Sequence, residues 1–499
     1  MKPVSRRSFF RTAALAGAAF TARSWAQVAG ANGDIRLAIA GLNGRGKELA
    51  ASFRRIPGVR LVALCDVDTA VLDREIAVAR AAGHTPDGVV DFRELLPRAD
   101  IDAVAIATPN HLHALQSIWA MQAGKDVLHE KPVSHNLWEG AQVIAAAKKY
   151  GRIVQVNTQS RSSTAIAEAL AWTQAGNLGK VTAVRGLVYK RRLSIGKTAG
   201  PVPPPATVNY DLFLGPAPMV PLRRVHFHYD WHWQWATGNG DMVAQGNHQL
   251  DVGRRFLGDP GQPAHVFTLG GRLGYEDDGE TPNTLLVHYD YPVPFLFEVR
   301  GLPAKPDAYS GNAAGEGGLG AAGKLAATMD KYRGLNVGNI VHCEGGHVVI
   351  PAGDYSLAQA FDRDGQLVHE FHGAGDHHAN FVDAMRSRKE SDLHGPILQG
   401  HRSSSLAHLA NISHRTGRAL RPGDIRDQVA SSALFAEAFE RMKAHLAANQ
   451  VDLDRTALTL GAPLAFDAAT EHFTGENAAA ANRHLTRDYR QPFVVPQVA

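Results

Sequence analysis

The feature that most constrains this chain is a glycine-rich turn, Gly41-Leu42-Asn43-Gly44-Arg45-Gly46, set between a short apolar run (35–40) and a helical stretch beginning near Lys47. Glycines there let the backbone turn tightly and approach an anionic group, and the helix N-terminus behind them favours negative charge. Gly41 and Gly46 fill the first and third places of the G-x-G-x-x-G pattern, while Asn43 takes the middle one and Gly44 follows it. The next apolar run ends at Asp66, 20 residues beyond Gly46. A carboxylate at that place holds the ribose hydroxyls of an adenine dinucleotide and disfavours a 2′-phosphate. The expected cofactor is therefore NAD, with NADP as the alternative, held by Gly41, Asn43, Gly44, Arg45, Gly46 and Asp66.

Short, almost continuously apolar runs at 35–40, 60–65, 103–107, 126–128 and 153–156 alternate with helical stretches. That is the pattern of a parallel sheet covered on both faces, so residues 34–157 read as a Rossmann domain of α/β class. Beyond residue 160 the strands lengthen and alternate, as at 181–189, 284–289 and 295–300. Residues 158–450 read as an α+β domain on a large open, mostly antiparallel sheet. A Gly/Ala-rich insertion is expected at 303–340, and an extended C-terminal arm at 451–499.

The formal charge of +4 invites a nucleic-acid reading, but residues 1–26 carry five basic and no acidic side chains, leaving 47 Lys plus Arg against 48 Asp plus Glu in the remainder. No nucleic-acid partner is expected. Those 26 residues, with Arg6-Arg7, an uncharged run and Ser24-Trp25-Ala26 before Gln27, resemble a twin-arginine signal peptide. The expected partner is the twin-arginine export machinery, the expected location the periplasm, and the mature form soluble. Cys65 and Cys343, the only cysteines, are expected to stay unpaired.

Three further motifs follow in order: Ala105-Ile106-Ala107-Thr108-Pro109-Asn110-His111-Leu112-His113, then Gly124-Lys125-Asp126-Val127-Leu128-His129-Glu130-Lys131-Pro132, then Gly238-Asn239-Gly240-Asp241 with His248 and Asp251. Together they resemble the landmarks of the Gfo/Idh/MocA oxidoreductase family, in its twin-arginine-exported, glucose-fructose oxidoreductase-like branch. The resemblance implies that Thr108, Pro109, Asn110, His113, Glu130 and Lys131 face the cofactor, that Lys131 also reaches substrate, and that the protein forms a homo-oligomer.

Oxidising a secondary alcohol requires a base for the hydroxyl proton, and histidine suits that task. Lys131 and His248 are the expected catalytic pair. Family members often carry an Asp four residues before this His; here that place is Ala244, so either Lys131 and His248 act alone or Asp251, three residues on, orients the ring. The aromatic run 226–235 offers the apolar and hydrogen-bonding surfaces that a sugar needs. Tyr189, Arg191, His228, Trp231, Asp241, Asn247, His248 and Asp251 are assigned to the substrate, and no metal is expected.

The leading reading is an NAD(P)-dependent oxidoreductase acting on a ring hydroxyl of a sugar, sugar derivative or cyclitol. Export away from soluble NAD pools argues for a tightly bound cofactor. One alternative is a glycosidase, lyase or epimerase that passes through a keto intermediate and returns the hydride. A second is a non-catalytic binding protein that keeps the fold.

Overall fold

The computed structural model describes residues 33–306, 327–353, 355–421, 423–425 and 432–498. The leader at 1–26 and residues 307–326 of the Gly/Ala-rich stretch lie outside the described residues.

Six strands, β1 (Ile35–Ala40), β2 (Val59–Cys65), β3 (Asp87–Val89), β4 (Ala103–Ile106), β5 (Asp126–His129) and β6 (Val154–Val156), form a parallel sheet in the order β3-β2-β1-β4-β5-β6. Alternate side chains feed two cores: Leu37, Ile39, Leu61 and Ala105 lie in one, and Ala38, Ala40, Ala63 and Val104 in the other. Burial on both faces is why these strands read as unbroken apolar runs. Chain order reverses between β1 and β4, and the crevice beyond the strand ends there is where such sheets bind ligands. Strand β3, with Gly88 at its centre, lacks any apolar run of its own and is defined by pairing with β2.

The second sheet contains β7 (Val181–Tyr189), β8 (His265–Gly271), β9 (Thr284–Tyr289), β10 (Phe295–Arg300), β11 (Val337–Cys343), β12 (Gly346–Pro351), β13 (Leu357–Asp362), β14 (Leu367–His372), β15 (Arg418–Leu420) and β16 (Leu458–Leu460). Its order is β14-β13-β12-β11-β7-β10-β9-β8-β16-β15, with β17 (Leu464–Asp467) on β8 and β18 (His472–Thr474) on β17. Every pairing is antiparallel except β7 with β10. Helices Gly246–Phe256 and Ile397–Arg415 cover one face, packing Leu250, Phe256, Leu406 and Leu409 among Val184, Phe295 and Phe297. On the other face, helix Ala433–Ala448 sits beside a buried ion network centred on Glu298.

Three of the expected boundaries shift. Helix His377–Ser387 packs Phe381 and Met385 into the core of the first sheet, so the chain crosses back before residue 450. The segment beyond residue 451 is not a free arm. It supplies strands to the second sheet, then Phe493 and Val495 to the core of the first. The insertion expected at 303–340 ends sooner, because β11 begins at Val337. Cys65 and Cys343 are both buried and free, one in each sheet.

Candidate active site

A cavity of about 1,470 Å³ opens over the reversal point of the first sheet and runs under the second domain. Gly41 sits at φ +82°, and a Cβ there would lie 2.6 Å from the Ala107 backbone. At Gly46 a Cβ would lie 1.7 Å from the Gly41 oxygen. Gly41, Asn43, Gly44 and Arg45 line the cavity, whereas Gly46 lies behind and lets the helix start close against the turn. Such a cradle fits a pyrophosphate.

Asp66 lines the cavity at the end of β2, where it accepts from the Leu42 amide (2.7 Å) and the Asp68 amide (3.0 Å). It thereby fixes the glycine turn while keeping lone pairs for ribose hydroxyls. Beside it, Asp68 pairs with His228 at 2.7 Å. His228 lines the cavity there, with its ring held by the Asp68 carboxylate.

Thr108, Pro109, Asn110 and His113 line the opposite wall. The His113 ring nitrogens lie 2.7 Å from both the Pro132 and the Thr108 carbonyls, which ties the two motif loops together. Glu130 accepts from Arg45 at 2.8 Å and from the Asn157 amide. Burial alone would raise its carboxyl, but Arg45 and Lys131 overcome that and hold it down at about 2. Glu130 is therefore a permanent anion that anchors Arg45 at the phosphate turn.

Lys131 donates from Nζ to the Ala244 carbonyl at 2.8 Å. Lys190, at the end of β7, donates to Oε1 of the neighbouring Gln245 at 2.8 Å. Two amines therefore hold consecutive residues of the turn that leads into His248, and all of these groups line the same cavity. Burial lowers Lys131, with Glu130 opposing. Burial and the Arg192 charge bring Lys190 down to about 7. Burial, reinforced by Lys131, holds His248 at about 3, and its Nδ1 has no hydrogen-bond partner among the described residues.

Several sequence expectations change here. Asp251 does not orient His248, because its carboxylate accepts from Arg161 (2.8 Å) and Ser403 (2.7 Å) in the interior. Asp241 is spent on Arg192, which also donates to the Tyr229 hydroxyl at 2.8 Å. Asn247 is fully buried and, like Asp241 and Asp251, does not line the cavity. Tyr189 reaches the cavity by its backbone position, but its hydroxyl donates to Glu298 at 2.5 Å on the far face of the sheet. Alternation along β7 turns its side chain away. Arg191 and Trp231 do line the cavity.

Sequence reasoning singled out neither Lys190 nor Gln245 as a site residue, and took His232 only as part of the aromatic run 226–235. His232 stacks on Trp231 with ring centroids 3.6 Å apart, and burial, with Lys131 adding to it and the Tyr229 carbonyl opposing, brings it down to about 3. The available signal for Lys190 was alternation: if Tyr189 points into the sheet's far side, its neighbour points toward the cavity.

A Rossmann crevice roofed by a largely antiparallel sheet, with titratable groups where the two meet, defines a dinucleotide-dependent oxidoreductase type. Residues 35–158 match the oxidoreductase family described by its NAD-binding Rossmann fold, and residues 164–269 match that family's C-terminal α/β domain. Both matches are to models of the Gfo/Idh/MocA oxidoreductase family. A glycosyl hydrolase family 109 protein from Saccharopolyspora erythraea is 34% identical over 164 residues, 28% of this chain and 36% of that protein. Levoglucosan dehydrogenase from Pseudarthrobacter phenanthrenivorans is 35% identical over 96 residues, 19% of this chain and 25% of that protein. The matched stretches thus span little more than a third of these relatives at most.

Among solved structures, the WlbA dehydrogenase of Bordetella pertussis in complex with NADH and UDP-GlcNAcA superposes with TM-score 0.53 at 18% identity, covering 77% of this chain and 97% of that one. A putative NADPH-dependent oxidoreductase of Desulfitobacterium hafniense gives 0.55 at 14%, covering 76% and 96%. These likenesses speak to the fold. No helix among the described residues is long and apolar enough to cross a membrane.

Proposed function

We propose that this protein is an NAD-dependent oxidoreductase acting on a ring hydroxyl of a sugar, sugar derivative or cyclitol, and that it retains its dinucleotide between turnovers. The observation that carries the reading is the meeting of Lys131, Lys190 and His248 on one wall of the dinucleotide cavity. NAD, when bound, supplies a hydride acceptor for the carbinol carbon. Lys131, as the cation, donates to the carbinol oxygen in place of the Ala244 carbonyl and stabilises negative charge developing there. Lys190 takes the hydroxyl proton, since an amine titrating at about 7 is free to accept it near neutral pH. Neutral His248 offers a hydrogen bond to a neighbouring hydroxyl, and Trp231 with His232 presents a flat apolar surface to the ring.

Preference for NAD over NADP rests on the Asp66 and Asp68 carboxylates at the ribose end, which repel a 2′-phosphate. Retention rests on the export address read in residues 1–26, and so does a periplasmic location. A homo-oligomer remains part of the proposal on the family resemblance.

The relatives named glycosyl hydrolase family 109 proteins favour one second reading, in which the hydride leaves and returns within a single turnover. Chromatography of nucleotide released by heat from the purified protein, combined with product analysis on a panel of sugars and glycosides, separates these. Bound NAD and a ketone or lactone product support net oxidation. Bound NAD with glycoside cleavage or epimerisation and no net reduction supports recycling. A protein that holds no NAD and turns over nothing is a binding protein at most.

A further inference from the structure

Behind the aromatic run lies a second cavity of about 380 Å³, which shares no lining residue with the dinucleotide cavity. Its volume falls within the range of roughly 300–1,000 Å³ typical of small-ligand pockets. Three guanidinium groups, from Arg415, Arg483 and Arg487, line it against a single carboxylate, Asp488. Arg487 is committed, donating to the Ala236 carbonyl (3.1 Å) and the His111 carbonyl (3.2 Å), with the buried Glu139 behind it. Arg415 lies over the Trp235 ring at 5.0 Å, and among the described residues neither Arg415 nor Arg483 makes an ion pair. The imidazoles of His135, His408 and His484, which complete the lining, are held toward the neutral form by burial.

Asn411 is an independent sign of a ligand. Its side chain is 3% exposed, and its Nδ2 donates to the Asn239 carbonyl at 2.9 Å, yet its Oδ1 has no donor among the described residues. A buried amide oxygen left without a donor is costly, and here it belongs to a residue of the cavity wall. A sugar hydroxyl is the kind of donor that would satisfy it.

We propose that this second cavity binds a hydroxylated oxyanion of monosaccharide size, a sugar acid or a sugar phosphate, with its anionic group between Arg415 and Arg483 and a hydroxyl donating to Asn411 Oδ1. Guanidinium groups recognise either oxyanion through paired N–H donors. The site is also wired to the first one. Asn239, whose carbonyl holds Asn411, accepts from the Asn110 side chain at 3.2 Å, and Asn110 lines the dinucleotide cavity. Each ligand then sits one hydrogen-bonded residue from the other's wall, and any effect on affinity is reciprocal.

Titration calorimetry on the whole protein tests this, with glucuronate, glucose 6-phosphate, glucose and inorganic phosphate as probes. Glucuronate or glucose 6-phosphate should bind saturably and at least tenfold more tightly than glucose or phosphate, and the tighter of the two names the oxyanion. Arg415→Ala combined with Arg483→Ala, both exposed on the rim and so no threat to folding, should weaken that binding at least tenfold while NAD affinity without the sugar stays unchanged. The bound sugar anion should also alter NAD affinity in the native protein and not in the double variant. The proposal fails if no probe binds, if the double variant binds as the native protein does, if inorganic phosphate binds as tightly as either sugar anion, or if NAD affinity ignores the sugar anion. Binding is read without turnover, so its failure is separable from failure of the oxidoreductase reading.

Discussion

The two ends of the large cavity differ in how they are built. At the ribose and phosphate end, the cradle itself lies within or just after one strand-turn-helix-strand unit: Gly41 and Gly46 shape the turn, and Asp66 ties down the Leu42 amide. At the proton-transfer end, Lys131, Lys190 and His248 come from three distant places, joined by bonds to the Ala244–Gln245 turn. The first is a local geometry that few residues satisfy. The second is a convergence that only tertiary packing produces. This contrast teaches where a sequence speaks clearly and where it does not.

The largest effect should come from Lys131→Met, which removes the amine that follows β5 and lines the cavity. Turnover is expected to fall roughly 10³-fold, the upper end of the span of about 10²–10³ for losing one donor that stabilises developing negative charge. NAD affinity, measured by fluorescence titration, should change much less. Loss of both together would mean that the two ends are not separable.

Gly46→Val attacks the other end alone. Its Cβ would meet the Gly41 oxygen at 1.7 Å, so the turn must open. NAD binding should weaken by about 100-fold or more, a cost of about 2.7 kcal/mol or above in binding. Native-like affinity would refute the assigned cradle.

Lys190→Arg sharpens the proton-transfer end. The native amine, brought to about 7, is protonated and idle as a base below that pH and free above it. The rate should therefore climb with pH through about 7 and level off. Arginine stays protonated throughout, so the variant should be about 10²-fold slower at pH 8 and lose that rise. An unchanged pH profile would remove Lys190 from the chemistry.

Asp66→Asn is the mildest. It keeps the shape but gives up charge, and a charge-assisted hydrogen bond is worth about 1.5–3 kcal/mol. NAD affinity should drop about tenfold or more, and the preference over NADP should narrow. A titration with each dinucleotide reads both.

The same contrast explains what was legible beforehand. The parallel sheet, the glycine turn and Asp66 could be read because strand burial and turn geometry are imposed by neighbours in sequence, whereas the Thr108–Asn110 and Glu130–Lys131 motifs are legible only through the family resemblance. The fates of Asp241 and Asp251 could not, since Arg192 and Arg161, the partners that consume them, lie 49 and 90 residues away. Helix His377–Ser387 was misallocated for the same reason: its apolar face announces burial, not which sheet it covers. Tyr189 shows a different limit. Alternation along β7 was visible, but which face looked toward the cavity was not.

The central claim is that hydride transfer to a retained dinucleotide is coupled to proton loss at the lysine cluster. A single-turnover experiment on the purified protein, mixed with the sugar that gives product and followed at 340 nm from pH 5.5 to 9, tests it most directly. The account predicts a reduced-dinucleotide signal whose rate rises with an apparent pKa near 7 and whose rise vanishes in Lys190→Arg. A rate independent of pH, or product formed by a protein that holds no dinucleotide, would contradict it.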